Sequence, residues 1–295
     1  MKFFDLSKPF WQYFSILLLA FVWGSSFILM KRGLVAYSSG QVAALRMVIA
    51  FIFFLPYIVV AFKKVNKKYW KYLIISGLFG NAIPAFLFTK AETAISSSLA
   101  GMLNSLVPLF TIILGTLFFK VATNKLKFIG VFIGLIGAIM LLSGNGFNFK
   151  SSEFTYSLLV VAATICYAIS VNTIKRYLQE LNPLLVSSFV FMFIGPPLLI
   201  YLFSTDFIKI TTTNPEAPIS LGFITILAVF GTALSLIIFN TLVQQTSALF
   251  ASTTTYLIPV FAIMWGIFDG ETINLIQIAG ILVILVGIYF INKLK

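Results

Sequence analysis

Ten stretches of about 20 mostly apolar residues follow one another along this chain, and they constrain its fold more than any other feature. A helix needs about 20 apolar residues to cross the roughly 30 Å of bilayer hydrocarbon, where every backbone polar group has to be paired within the segment. With 60% hydrophobic and 9% charged residues, the chain is not an ordinary soluble domain. We therefore predict an all-α integral membrane protein with ten transmembrane helices. The expected spans are residues 12–30, 40–62, 72–89, 95–119, 127–143, 155–174, 184–203, 219–240, 246–268 and 273–292.

The distribution of basic residues predicts the orientation of these spans. A net charge of +12 in a soluble protein would suggest nucleic-acid binding. Here the basic residues lie mostly in short clusters between apolar stretches, as in residues 63–71. Most of the 20 Lys and Arg residues fall on the inner side if the N-terminus is cytoplasmic. We therefore predict that both termini are cytoplasmic, and that the chain contacts a lipid bilayer and no nucleic acid.

The two halves of the chain resemble each other. Sliding the chain against itself by 144 to 151 residues aligns polar, aromatic, glycine and proline positions in the same order. The two repeats, residues 12–143 and residues 155–292, then hold five expected spans each. Because five is odd, the second repeat enters the membrane from the opposite side, so the repeats are expected to be inverted. Aligned pairs include Trp23 with Tyr167, Ser26 with Ser170, Pro108 with Pro259, and Gly115 with Gly266.

Inverted repeats are typical of transporters. Two halves related by an axis in the membrane plane place a cavity at their interface near the bilayer midplane. Rocking one half against the other then exposes the cavity to each side in turn. The repeat therefore predicts a carrier that works by alternating access.

Polar but uncharged side chains within the spans are the main candidates for a substrate site. Each of them could also bond one helix to another, and that packing role stays open. As a set, with their aromatic neighbours, they suit a ligand that has polar groups and an apolar body. The candidate substrate-binding residues are Trp23, Ser26, Asn81, Asn104, Tyr167, Ser170, Asn172, Thr232, Asn240 and Tyr256.

Three charged residues are candidates for substrate contact or ion coupling. Arg46 lies about 9 Å along its expected span at 1.5 Å per residue. It either has a structural role, reaching back to the interface or bonding the carbonyl end of a neighbouring helix, or contacts an anionic substrate group. Lys90 and Glu92 lie where the third expected span meets the fourth. They are either solvated loop charges or, for Glu92, a coupling carboxylate. Because the chain has no histidine and no mid-span carboxylate, a facilitator or exchanger is favoured over a proton pump.

Further residues are expected to shape the helices. Pro108 and Pro259 form a repeat-related pair suited to hinging, although plain packing kinks are an equal alternative. Asp269 and Glu271 follow the ninth span and are expected to cap the tenth helix, since a helix N-terminus attracts carboxylates. The glycines expected to let the fifth and tenth spans pack closely, between halves or between subunits, are Gly130, Gly134, Gly137, Gly280 and Gly287.

Several short motifs resemble a known family. In chain order they are WGSSF at 23–27, ALRMVIA around Arg46, AETAISSSLAGML at 91–103 followed by Pro108, and GET at 270–272 followed by Gly280 and Gly287. Together they resemble the drug/metabolite transporter superfamily, specifically its EamA-like branch, over nearly the whole chain. The resemblance implies ten helices in two inverted five-helix repeats. It also implies a central cavity lined mainly by the first, third and fourth helices of each half, and export or exchange of small metabolites across the bacterial inner membrane. The chain departs from the family pattern at Lys120 and Val121, where the family usually carries a glycine–glutamate pair like Gly270 and Glu271.

These observations together predict a multi-pass inner-membrane transporter of small metabolites such as amino acids, acting as an exporter or exchanger and present as a monomer or homodimer. Proton-coupled efflux of amphipathic drugs or toxic compounds is the alternative. An intramembrane enzyme is a remote one, because a chain without histidine and with the single cysteine Cys166 lacks most catalytic groups. No metal and no cofactor are expected.

Overall fold

The computed structural model describes residues 8–121, 125–142 and 152–292. The helices, in chain order, are α1 (Pro9–Gly33), α2 (Ser39–Ala61), α3 (Lys67–Ala91), α4 (Ser97–Phe119), α5 (Lys125–Leu142), α6 (Ser152–Tyr177), α7 (Pro183–Phe203), the short α8 (Phe207–Thr213), α9 (Ala217–Gln245), α10 (Ala248–Phe268) and α11 (Leu275–Asn292). Eight of these helices are long and apolar enough to cross a membrane: α1, α2, α3, α4, α6, α7, α9 and α10.

The eight long apolar helices confirm a multi-pass helical membrane protein. The fifth and tenth expected spans correspond to α5 and α11, which have 18 residues each. Ser143, the last residue of the fifth expected span, lies outside the described ranges. Ten membrane crossings, the inversion of the repeats and the orientation of the termini stay predictions.

Four of the long helices change their hydrogen-bonding pattern midway. A π-helical turn interrupts α3 at Leu78–Ala82, and another interrupts α9 at Val229–Leu234. A 3-10 turn interrupts α4 at Asn104–Leu106, and another interrupts α10 at Thr253–Tyr256. The interruptions therefore recur in the same order in both halves. Such turns loosen the regular backbone ladder and are frequent at functional sites.

The two prolines expected to act as hinges lie shortly after the 3-10 turns. Pro108 is the second residue of the helical segment Val107–Phe119, and Pro259 is the second residue of Ile258–Phe268. Proline fits the first turn of a helix, where the missing N–H has no intrahelical partner to lose. Both prolines therefore begin a helical segment rather than kink its middle, and their hinge motion stays a prediction.

Repeat-related serines also begin α4 and α10. The Ser96 side chain accepts a hydrogen bond from the Leu99 backbone N–H at 3.1 Å, and Ser247 accepts one from Phe250 at 2.9 Å. Each serine satisfies a backbone donor that the first helical turn leaves unpaired. Two sequence-distant helices thus start in the same way.

The expected close approach of the fifth and tenth spans is confirmed within one chain. A Cβ atom added to Gly137 of α5 would lie 2.6 Å from the Gly280 carbonyl oxygen of α11. A Cβ added to Gly287 of α11 would lie 2.6 Å from the Gly130 carbonyl oxygen of α5. Backbone therefore packs directly on backbone at this crossing, which larger residues would hold apart.

The buried apolar side chains of the described residues form two large clusters and a smaller third one. One large cluster contains most of the core of α2, α3 and α7 and part of α9, and the other contains most of the core of α4 and parts of α1 and α6. Residues of both large clusters, among them Phe239 and Phe88, line the cavity described next.

Candidate functional site

An internal cavity lies among seven helices. About 100 Å³ is accessible to the centre of a water-sized sphere, which is room for several water molecules or a small metabolite. Its walls come from α1, α3 and α4, from α6, α9 and α10, and from one residue of α2. These are the helices that the family resemblance implied, with α2 added. The lining residues are Trp23, Ser26, Phe27, Met30, Arg46, Gly80, Asn81, Phe88, Asn104, Val107, Tyr167, Ser170, Val171, Ile174, Gly231, Thr232, Leu236, Phe239, Ser252 and Thr255.

All four helix interruptions contribute to these walls. Asn81 and Thr232 belong to the two π-helical turns, while Asn104 and Thr255 belong to the two 3-10 turns. Polar side chains and loosened backbone therefore meet at one place inside an apolar protein. Discontinuous helices form substrate and ion sites in this way in other transporters.

Two aromatic pairs face the cavity, and the repeat relates them to each other. The rings of Trp23 and Phe239 meet edge to face with centroids 5.1 Å apart, while Tyr167 stacks on Phe88 at 6.0 Å. Trp23 Nε1 also donates a hydrogen bond of 3.0 Å to the Gly231 carbonyl oxygen in the π-helical turn of α9. The aromatic walls are thus fixed by packing and by a bond to the interrupted backbone.

Arg46 is the only charged residue among the described residues that line the cavity. Its Nε donates to Thr232 Oγ1 at 2.6 Å, and its Nη1 lies 3.9 Å from the Met30 sulfur. The guanidinium carries five N–H donors, and no other hydrogen-bond partner is found for them among the residues described. Arg46 therefore lines the cavity and bonds its wall through Thr232, and its contact with a substrate stays a prediction.

The structure brings together seven of the ten predicted substrate-binding residues and leaves three elsewhere. Asn172 is buried away from the cavity, where its Nδ2 donates to the backbone oxygens of Thr111 and Ala168. Asn240 is buried between α9 and α7 and donates to Ser187 Oγ at 2.9 Å. The lining residues also do not include Tyr256, which lies in the 3-10 turn of α10. The seven that line the cavity are Trp23, Ser26, Asn81, Asn104, Tyr167, Ser170 and Thr232.

Sequence reasoning overlooked several lining residues. Gly80 and Gly231 form a repeat-related pair within the π-helical turns, and Phe88 and Phe239 form another. The members of each pair lie 151 residues apart, the same spacing as Pro108 and Pro259. A search for residues that recur at the repeat spacing next to a polar candidate would therefore have identified Gly80 and Gly231, which precede Asn81 and Thr232.

Lys90 and Glu92 have different environments. Lys90 is exposed, with its Nζ 5.7 Å from the centre of the Tyr156 ring. Glu92 is only 8% exposed, and neither of its carboxylate oxygens has a hydrogen-bond partner in the described part of the chain. The solvated-loop interpretation therefore describes Lys90 but is wrong for Glu92.

A cluster of polar residues, which we call the Glu271 clasp, joins three parts of the chain at one end of the bundle. Lys31 Nζ contacts the carboxylates of Asp269 at 2.6 Å and Glu271 at 3.0 Å, and Arg32 also pairs with Asp269. Glu271 also accepts the backbone N–H groups of Ser97 and Ser98 at the start of α4, both at 3.0 Å. The Ser98 hydroxyl donates a further bond of 2.6 Å to Glu271.

The clasp corrects the expectation that Asp269 and Glu271 cap the tenth helix. Glu271 caps α4, which is distant in sequence, whereas the Asn274 side chain accepts the Ile276 N–H at the start of α11. Partial burial acts to raise the pKa of Glu271, but the hydrogen bonds from Ser98 and Lys31 outweigh it and lower that pKa.

Lys175 corresponds to Lys31 in the repeat, 144 residues further along the chain, and has different partners at the other end of the bundle. Lys175 Nζ donates to the backbone carbonyl oxygens of Gln244 at 3.1 Å and Thr246 at 2.7 Å. The position that corresponds to Glu271 is occupied by Val121. The two ends of the bundle are therefore held by different chemistry.

The fold and the site together define a class: a multi-pass helical membrane protein with an internal cavity, lined by apolar and polar side chains, at interrupted helices. Two segments, residues 10–143 and 154–293, match the EamA-like transporter family. This chain belongs to the EamA-like transporter family, as its sequence motifs indicated.

Similar proteins come from bacteria and archaea. The chain is 26% identical to an uncharacterized transporter of Archaeoglobus fulgidus, over 92% of this chain and 95% of that protein. It is also 26% identical to a probable amino-acid metabolite efflux pump of Salmonella typhimurium, over 94% of this chain and 93% of the pump. The uncharacterized inner membrane transporter YedA of Escherichia coli K12 is 26% identical over 87% of this chain and 82% of YedA.

Solved structures include a similar fold, for example in one crystal structure. It covers 95% of this chain, and this chain covers 97% of it, with a TM-score of 0.64. Because only 15% of the residues are identical, the similarity concerns the fold alone.

Proposed function

We propose that this protein carries small metabolites with a carboxylate group and an apolar body, such as amino acids, across a bacterial inner membrane. The observation that carries the proposal is Arg46, a guanidinium with unused donors that faces a cavity lined by aromatic rings and hydroxyl groups. An arginine binds a carboxylate through two parallel hydrogen bonds, and such bonds are strongest where water is scarce. The Salmonella relative, named a probable amino-acid metabolite efflux pump, supports this class of substrate.

The carrier works by alternating access between two inverted five-helix repeats, with both termini in the cytoplasm. The recurrence of the four helix interruptions at the cavity supports this arrangement. Rocking of the halves about Pro108 and Pro259 would expose Arg46 to each side in turn. Export or exchange is the direction, the working unit is a monomer or homodimer, and no nucleic acid, metal or cofactor takes part.

A transporter accounts for the cavity better than an intramembrane enzyme does. Catalysis would require a nucleophile, base or metal site at one depth. The described lining residues include serine and threonine hydroxyls but no carboxylate or cysteine beside them.

The experiment that tests this proposal is transport by the purified protein in liposomes. Radiolabelled amino acids and nucleobases are screened for saturable uptake, with and without an imposed pH gradient. Hydrogen bonds to a charged group contribute about 1.5–3 kcal/mol, so Arg46→Ala should raise the half-saturation concentration of a carboxylate substrate by about 10- to 100-fold. Trp23→Ala should also weaken binding, because it removes one aromatic wall.

Arg176→Ala is the matched control, since Arg176 is exposed and does not line the cavity. Its half-saturation concentration should equal that of the wild type. Saturable flux with equal values for Arg46→Ala and Arg176→Ala would show that Arg46 does not hold the substrate. Flux of nucleobases without flux of amino acids would overturn the proposed substrate class.

A further inference from the structure

The Asn104 amide is a buried polar group on the wall of the cavity. Its side chain is 6% exposed, and its Oδ1 has no hydrogen-bond partner among the described residues. A buried amide oxygen without a donor is unfavourable, because it has lost its hydrogen bonds to water. A hydrogen-bond donor on a molecule inside the cavity would restore the missing bond.

A role in bonding one helix to another explains other buried amides but not Asn104. The Asn172 Nδ2 donates to the Thr111 carbonyl oxygen of α4 at 3.0 Å. The Asn240 Nδ2 donates to Ser187 Oγ of α7 at 2.9 Å. The Asn104 side chain makes no comparable bond within the described part of the chain. Its amide is therefore available to a ligand.

The local backbone fixes the position of this amide. Pro108 has no N–H to donate to the Asn104 carbonyl oxygen four residues earlier, and that oxygen instead accepts the Val107 N–H in the 3-10 turn. The Ser105 hydroxyl donates to the Met102 carbonyl oxygen at 2.6 Å and stabilises the same turn. Asn104 is therefore ordered before a ligand arrives, which lowers the entropic cost of binding.

Arg46 and Asn104 reach the cavity from different helices. Arg46 lies on α2 and bonds Thr232 in the π-helical turn of α9. The 3-10 turn that contains Asn104 packs against α6, α10 and α11. The cavity therefore offers a cation and, separately, a neutral oxygen. An amide oxygen repels a carboxylate and attracts an N–H group, so the two residues require different groups on a substrate.

We propose that the Asn104 amide oxygen accepts a hydrogen bond from the ammonium group of an α-amino acid whose carboxylate is bound by Arg46. Asn104 then determines specificity, because it selects amino acids over carboxylates of the same shape that lack the amino group. This inference rests on the proposed function. The substrate carboxylate compensates the charge of Arg46, and the ammonium group is held by a neutral oxygen beside the aromatic faces of Trp23 and Tyr167.

The test compares three ligands that differ in one group on the carbon beside the carboxylate. They are leucine, 2-hydroxy-4-methylpentanoate and 4-methylpentanoate, which carry an ammonium, a hydroxyl and a hydrogen at that carbon. Binding of each to the purified protein in lipid nanodiscs is measured by calorimetry, so no transport is needed. The wild type should bind leucine about 10- to 100-fold more tightly than 4-methylpentanoate, with the hydroxy acid between them, because hydrogen bonds from charged donors are the stronger ones.

Variants of Asn104 test whether this residue causes the preference. Asn104→Leu keeps the shape and removes the amide, so it should weaken leucine binding by about 10- to 100-fold and leave 4-methylpentanoate binding nearly unchanged. Asn104→Thr introduces the residue found at the repeat-related position, Thr255, and should keep part of the preference through its hydroxyl. Arg46→Ala should weaken both ligands alike. Asn240→Leu is the matched control, since Asn240 does not line the cavity, and it should keep the wild-type preference.

The outcomes separate this inference from the proposed function. Equal binding of leucine and 4-methylpentanoate by the wild type, or equal weakening of both in Asn104→Leu, would overturn the inference and leave a carboxylate carrier in place. Tighter binding of the hydroxy acid than of leucine would show that the group bound is not an ammonium. A wild-type protein that binds none of the three ligands would overturn the proposed substrate class, and this inference with it.

Discussion

Removal of the Glu271 carboxylate should loosen one end of the bundle. Glu271 accepts three hydrogen bonds from Ser97 and Ser98 at the start of α4 and one from Lys31 of α1. Glu271→Ala removes all four at once and leaves two backbone N–H groups of α4 without their acceptor. The α10–α11 connection then has no charged contact with α4.

The size of the effect follows from these contacts. The Lys31 side chain is 40% exposed, so its ion pair contributes at most about 1 kcal/mol. The Glu271 side chain is only 7% exposed, and loss of a helix-capping acceptor costs about 0.5–2 kcal/mol. Together these terms give a loss of about 0.5–3 kcal/mol in the free energy of unfolding. Glu271→Gln should lose less, because its amide oxygen still accepts from α4.

The assay is unfolding of the purified protein by increasing SDS in mixed micelles, monitored by circular dichroism. Glu180→Ala is the matched control, because the Glu180 and Lys68 side chains of its ion pair are 76% and 61% exposed. That pair should contribute little to stability, because solvent screens the attraction between two exposed charges. Equal losses for Glu271→Ala and Glu180→Ala would refute the clasp as a stabilising feature.

The pH dependence of the same variants gives a second check. Because the folded protein lowers the pKa of Glu271, the clasp contributes its full stability above the unfolded value of 4.5. This contribution is lost as the pH falls through the folded pKa. Glu271→Gln should lack this acid-side loss, whereas Glu180→Gln should keep it.

Two further predictions concern packing. Gly137→Leu should cost about 1–3 kcal/mol of stability, because even its Cβ would press on the Gly280 carbonyl. Gly222→Leu is the control, since nothing lies within 4 Å of the added Cβ, and it should cost far less in the same SDS titration. Asn240→Ala should cost about 1 kcal/mol by removing the bond to Ser187, and should leave the half-saturation concentration of transport unchanged. A tenfold change in that concentration would instead place Asn240 in the substrate path.

The spans were readable from the sequence because a bilayer imposes one length and one composition on a crossing helix. The interruptions inside α3, α4, α9 and α10 were not readable in the same way. Most of their residues are apolar or small and would also fit a regular helix. Proline at 108 and 259 marked the neighbourhood of two interruptions, but no proline marks the centre of the π-helical turns.

The same reasoning explains which site residues were predictable. Polar residues within spans are few, so a search for them gathered most of the polar wall of the cavity. It could not distinguish Asn104, which faces the cavity, from Asn172, which bonds the backbone of α4, because both are amides in apolar helices. The role of Glu271 was misjudged for a related reason: a carboxylate before a helix usually caps that helix, and only the fold brings Ser97 close enough to compete.

The most informative residues of this protein have no charged equivalent in the other half of the repeat. The cavity walls are largely made of repeat-related pairs, which a symmetric carrier would need on both sides. Three charged residues instead have valine at the corresponding position of the other half: Arg46 has Val190, Glu92 has Val243, and Glu271 has Val121. A symmetric pair of halves would hold each of these charges twice or not at all. Among the described residues, Arg46, the buried Glu92 and the Glu271 clasp are each present once, so the two halves differ in their charged contacts. Under the proposed function, Arg46 supplies a substrate contact that the shared fold does not.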